Sequence, residues 1–224
     1  MMSMIQNELG VNATDCSLGI LIMEGVQNTA CGNRLAAIKH DLEHSLREKY
    51  GHATRGELKA LHPIDTYVLY YKKFGHTYHV LPQLESVIKG KAIQDGLPLV
   101  EAMFLAELKN MLLTAGHDFD QIKSPLRFIV STGQESYASL NGRDVTTIDG
   151  DIMISDQLGI ISSILRGPDL RTAITEQTSR VIYTVYAPSG VEEQVIYQHL
   201  NDIESYVLEC SVKAVTCFKH VFQE

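Results

Sequence analysis

Residues 151–165 read Asp151-Ile152-Met153-Ile154-Ser155-Asp156-Gln157-Leu158-Gly159-Ile160-Ile161-Ser162-Ser163-Ile164-Leu165. Isoleucine-rich runs flank the turn Asp156 to Gly159, which predicts short strands over 151–155 and 160–165. Leu126 to Ser131 and Arg180 to Tyr186 have the same character, and Asn141-Gly142 is the strongest short hairpin signal in the chain. Upstream the pattern is different. Asn33 to Lys49 predicts an amphipathic helix with Leu35, Ile38, Leu42 and Leu46 on one face. Helices are predicted to begin at Pro63, Pro82 and Pro98, because proline fits the first helical turn. The Pro98 helix carries Val100, Phe104, Leu108 and Met111 and ends before Gly116. Ser17 to Met23 reads as a buried strand ended by Glu24-Gly25, Val191 to Leu208 as a helix, and Cys210 to Phe218 as a closing strand. Helices gathered in one region and strands in another predict an α+β fold, not a doubly wound sheet.

The chain has 224 residues, 45% hydrophobic and 21% charged, enough for one domain with a proper core. It contains no internal repeat or long linker, so the expected organisation is an N-terminal extension, 1–16, and a single domain, 17–224. No stretch approaches the ~18 apolar residues of a membrane span. The start, Met1 to Glu8, lacks the basic and apolar regions of a signal peptide. A cytoplasmic protein is expected, with no membrane partner and with Cys16, Cys31, Cys210 and Cys217 as reduced thiols. A net charge of −8 excludes a general DNA or RNA coat, whose non-specific affinity comes from Lys and Arg neutralising phosphates.

The phosphate-loop, dinucleotide and nucleophile-elbow motifs are absent, which removes P-loop enzymes, simple dehydrogenases and α/β-hydrolases. His40-Asp41-Leu42-Glu43-His44 matches an inverted zinc-protease motif. At ~100° per residue, however, its histidines project away from the apolar face, so it reads as a solvated surface. His76 and His79 read as surface loop residues. No metal and no organic cofactor is indicated. His117, in Gly116-His117-Asp118-Phe119-Asp120, is placed in a loop between a helix and the first strand of the β region, where sites often form, although on pattern alone a loop histidine capping local structure is the better reading. Arg171 to Thr178 is dense in hydroxyls and reads either as a capped turn or as the polar wall of a pocket.

Taken together, these segments resemble the B3/B4 domain, the editing module of the phenylalanyl-tRNA synthetase β subunit, and more closely the freestanding proteins that consist of little else. The resemblance is carried by Leu18-Gly19-Ile20-Leu21 with Glu24-Gly25-Val26, Tyr71-Lys72-Lys73-Phe74-Gly75, Ser86-Val87-Ile88-Lys89-Gly90, Leu97-Pro98-Leu99-Val100-Glu101, Gly116 to Ile122, Asp156 to Gly159 and Ile174-Thr175-Glu176-Gln177-Thr178. It implies a β-sandwich-like core of unusual topology flanked by helices, with a pocket for an amino-acid side chain.

By position, His117 and Thr175 fall where the resemblance puts catalysis, and Glu101, Phe104, Ser162 and Thr178 where it puts the substrate. Glu101 and Phe104 depart from the family's Asp and Asn. Ser162 to Pro168 stands where the family has a small-residue stretch near the pocket. The implied activity is hydrolysis of a misacylated aminoacyl-tRNA of the tyrosyl-tRNA(Phe) kind in trans, with aminoacyl-tRNA and an amino-acid-like ligand as partners and DNA excluded. A non-catalytic amino-acid or metabolite binding module is the alternative, and a protein-interaction domain with a vestigial pocket is a third. The loop placement also predicts that His117→Ala keeps its fold. The sequence sets no oligomeric state.

Overall fold

A computed structural model describes residues 5–7, 16–29 and 34–222. The fold is α+β: two largely antiparallel sheets face each other, and helices cover the outer face of one of them. The first sheet is built from β2 (Cys16–Glu24), β3 (Leu113–Asp118), β10 (Arg180–Pro188) and β11 (Val215–Phe222), in the order β11-β2-β10-β3. The second has the order β1-β4-β7-β8-β9, from β1 (Ile5–Asn7), β4 (Leu126–Val130), β7 (Ile152–Asp156), β8 (Gly159–Ser163) and β9 (Gly167–Pro168). A hairpin of β5 (Ser136–Ala138) and β6 (Asp144–Thr146) closes through Asn141 and Gly142, as the sequence predicts, and Gly142 takes the positive φ of 74° its turn requires.

The region expected to be an N-terminal extension supplies β1, which pairs parallel to β4 with Ile5 opposite Leu126. The early strand β2 lies beside β10, with Cys16 opposite Pro188 and Glu24 opposite Arg180. Both central strands are buried on both faces, which explains their near-continuous apolar runs. On one face they meet helices α5 (Pro98–Asn110) and α6 (Glu193–Cys210); on the other they meet the second sheet through Tyr186, whose ring lies 6.2 Å from that of Phe128. Gly19 permits the approach of α6, since a Cβ there would stand 2.6 Å from Ile196 Cγ2.

Helices α1 (Arg34–Tyr50), α2 (Arg55–Lys59), α3 (Ile64–Lys73) and α4 (Val80–Ile88) complete the helical side. In α1, Leu35 and Leu46 are buried, Ile38 and Leu42 are half-buried, and His40 and His44 are exposed as the helical phase predicts. Four expectations are corrected. Helix α4 begins two residues before Pro82, so its proline sits inside the first turn. The α5 stripe is rotated: Leu99, Ala102, Leu105, Ala106 and Leu108 are buried, whereas Val100 is exposed and Phe104 half-buried. Cys210 ends α6 and does not begin the last strand, which starts at Val215. Cys210 is disulfide-bonded, so the expectation of four reduced thiols does not hold there. Cys16 is buried and Cys217 half-buried; Cys31 and Asn33 lie outside the described residues.

Helix α3 ties the two sheets together through tyrosine hydroxyls. Tyr67 donates to the Tyr186 carbonyl of the first sheet and accepts from the Leu113 N–H at 3.0 Å. Tyr70 donates to Asp151 Oδ1 at 2.9 Å and accepts from the Ile152 N–H at 3.0 Å, on the second sheet. Tyr71 donates to the Ile164 carbonyl at 2.9 Å. Positions i, i+3 and i+4 share a helix face, so one turn of α3 reaches both layers. The α5–β3 corner is closed by Met111 in the left-handed region, φ 62°, and by Glu107, whose Oε1 accepts from the Thr114 N–H at 2.8 Å. Burial pushes the Glu107 carboxyl up to about 8, because a dry interior disfavours its charged form.

Candidate functional site at the seam of the sheets

A cavity of about 300 Å³ opens where the start of β3 meets the segment leaving β8. Its apolar walls are Leu113, Ala115, Ile164, Leu165 and Pro168, and its polar groups come from Ser163, Tyr186, His79 and Arg166. Strand alternation puts Leu113, Ala115 and His117 on the face of β3 that looks toward the second sheet. Gly116, on the opposite face, approaches α5: a Cβ there would lie 3.3 Å from Met103 Sδ.

His117 is therefore a fully buried strand residue, not a loop residue, which corrects the sequence expectation. Its Nδ1 lies 2.8 Å from Thr172 Oγ1, and Thr172 Oγ1 donates in turn to Asp169 Oδ1. With the hydroxyl proton on Asp169, Nδ1 carries the imidazole hydrogen and Nε2 presents a lone pair, for which the described residues hold no partner. Burial first, then the positive Arg171, holds the imidazole down to about 3, so it is neutral at physiological pH. Arg171 forks onto Asp156 at 2.9 and 3.0 Å, and its Nε stands 3.6 Å from Asp169 Oδ2. The 162–172 segment thus lines the cavity with its first half and locks His117 with its second.

The remaining expected site residues are not brought together with His117. Thr178 is buried and donates to Asp118 Oδ2 at 2.8 Å, on the opposite face of β3 from His117. Thr175 is exposed; its hydroxyl accepts from the Gln177 N–H at 3.3 Å and its N–H donates to Thr178 Oγ1 at 2.9 Å, the local capping pattern of a hydroxyl-rich turn. Glu101 pairs with the buried Lys39 at 2.9 Å and accepts from the Gly96 N–H. Phe104 packs against the core from α5. Ser162 is buried and hydrogen-bonds the Tyr186 hydroxyl, which places it behind one cavity wall.

His79 and His76 are both exposed, as expected; His79, in the turn before α4, also contributes to the cavity lining, and desolvation lowers its imidazole below the usual value. The sequence reading missed Asp156, Asp169, Arg171 and Thr172 as one network, and their distance in sequence from His117 explains why. The spacing of Tyr67, Tyr70 and Tyr71 was an available signal: three hydroxyls on the buried side of a helix need polar partners.

No protein-family model and no curated protein matches the sequence. Among solved structures, the chain is similar to an N-terminal fragment of the phenylalanyl-tRNA synthetase β subunit from Pyrococcus horikoshii, with a TM-score of 0.49 and 13% identity over 98% of this chain and 54% of that one. This chain therefore spans about half the length of that fragment. Among the described residues there is no cluster of three or more candidate metal ligands, and no helix is long and apolar enough to cross a membrane.

Proposed function

We propose that the chain binds a ligand of amino-acid size in the seam cavity. The observation that carries this reading is the cavity itself: about 300 Å³, with apolar walls and a few polar groups around them, which is the lower end of the size range of small-molecule sites. An apolar or aromatic side chain would sit against Leu113, Ala115, Ile164 and Leu165, while the exposed Arg166 offers a cation to a carboxylate. The test is a thermal-shift panel of free amino acids against wild type and Arg166→Gln. Binding at about 100 times Kd adds roughly 2.7 kcal/mol of stability. A shift with one side-chain class, reduced in Arg166→Gln, supports the reading; no shift with any amino acid at millimolar concentration refutes it.

A second reading, hydrolysis of misacylated aminoacyl-tRNA in trans, is favoured by the unpartnered lone pair of His117 Nε2, which lies on the same strand face as two cavity residues. An aminoacyl ester is already activated, so a positioned water oriented by a neutral imidazole is the main requirement. Hydrolysis of tyrosyl-tRNA(Phe) by wild type, lost in a folded His117→Gln variant, supports this reading. Wild type matching the protein-free blank removes it for that substrate.

A further inference from the structure

Lys59, Lys72 and His76 converge on a second recess, a pit of about 130 Å³ that Thr77, Tyr78 and Leu81 also line. Lys59 and Lys72 stand in the last turns of α2 and α3, where a cation complements the helix dipole. That explains the presence of each lysine but not their meeting. Among the described residues neither lysine has an ion pair, whereas every acid on the three surrounding helices is engaged elsewhere. Glu57 of α2 closes the capping box with Thr54, Asp65 of α3 accepts from the Thr66 N–H at 2.8 Å, and Glu85 of α4 pairs with Arg55. In a chain of net charge −8, two unpaired lysines around one pit, with His76 beside them as a hydrogen-bonding group, form a local positive field suited to an anion.

Adjacent residues of the chain line the pit and the seam cavity. Tyr78 lines the pit and its chain neighbour His79 lines the cavity, with ring centres 5.7 Å apart. We infer that Lys59, Lys72 and His76 hold a phosphate group of the ligand whose other end enters the seam cavity. The inference rests on the cavity reading for what the phosphate is attached to, but not for the phosphate itself. The phosphate could belong to a small phosphorylated metabolite or to the end of an RNA strand, and the two sources are separable.

The experiment uses two probes at low salt, inorganic pyrophosphate by calorimetry and a short fluorescein-labelled single-stranded RNA by anisotropy. It compares wild type, Lys59→Gln/Lys72→Gln, and the equal-charge control Lys89→Gln/Lys91→Gln. The expected result is binding to wild type and to the control, weakened about tenfold in the pit variant. For RNA, the log–log salt slope should become shallower by about 1.4, roughly 0.7 for each lost phosphate contact. Pyrophosphate binding alone identifies a small phosphorylated ligand, and RNA binding alone identifies a strand end; either one, lost in the pit variant, supports the inference. It is overturned if neither probe binds wild type, if the pit variant binds as wild type does, or if the control weakens equally. The amino-acid thermal shift, repeated on the pit variant, separates the two sites. Its absence from wild type alongside pit-dependent phosphate binding removes the cavity reading alone.

Discussion

Replacing Tyr70 by Phe deletes one oxygen that serves two partners. The hydroxyl donates to Asp151 Oδ1 at 2.9 Å and accepts from the Ile152 N–H at 3.0 Å, all three residues being buried. A hydrogen bond to a charged group contributes about 1.5–3 kcal/mol, and a buried N–H left without a partner costs about 1–3 kcal/mol. The two overlap, so a loss of about 3 kcal/mol is expected. At a urea slope of about 2–3 kcal/mol per molar, that lowers the unfolding midpoint by about 1–1.5 M with the slope unchanged.

Tyr71→Phe is the internal comparison. Its hydroxyl donates to a neutral carbonyl, Ile164 O, so a loss near 1 kcal/mol is expected. The Tyr70→Phe penalty also depends on pH. Desolvation raises the Asp151 carboxyl above its usual range, and the Tyr70 hydroxyl is among the groups holding it down. Removing that hydroxyl raises the folded-state value further. The proton is then held more tightly by the folded than by the unfolded state, so stability falls more steeply as pH rises above the ordinary carboxylate range. The measurement is urea unfolding of both variants at acid and at slightly alkaline pH. A Tyr70→Phe loss below about 0.5 kcal/mol, or one equal to that of Tyr71→Phe at every pH, would refute the claim that this hydroxyl is what ties α3 to the second sheet.

Two further outcomes follow from buried titratable groups. His117→Ala should lose about 2–4 kcal/mol, from the cavity left behind and from the Thr172 hydroxyl left without its donor; thermal unfolding checks this, and a melting temperature within two or three degrees of wild type, about the shift of 1 kcal/mol in a chain of this length, would return the residue to a loop-like environment. Glu107 has its folded value raised to about 8, so wild-type stability should decline as pH rises from the unfolded carboxylate value, about 4.3, through about 8. Glu107→Gln should show a flatter profile over that window by denaturant midpoints, and parallel profiles would exclude Glu107 as the source.

The α+β class, the strands around 126–130, 152–156 and 180–188, the Asn141-Gly142 hairpin and the helices at Pro63 and Pro98 were legible in the sequence, because periodicity and turn chemistry act over a few residues. The solvated histidines of α1 were legible for the same reason. What tertiary structure alone decided is the environment of His117. Its sequence neighbours Gly116 and Asp118 suggest a turn, yet pairing with Ile182 makes it a strand residue. The hydroxyl that orients it comes from Thr172, 55 residues away in sequence. The seam cavity is likewise bounded by residues from His79 to Tyr186, and its walls exist only once two sheets are packed and α3 has fastened them. Local pattern fixes which residues form elements; which buried polar atom finds which partner depends on contacts between elements, and no local pattern encodes those contacts.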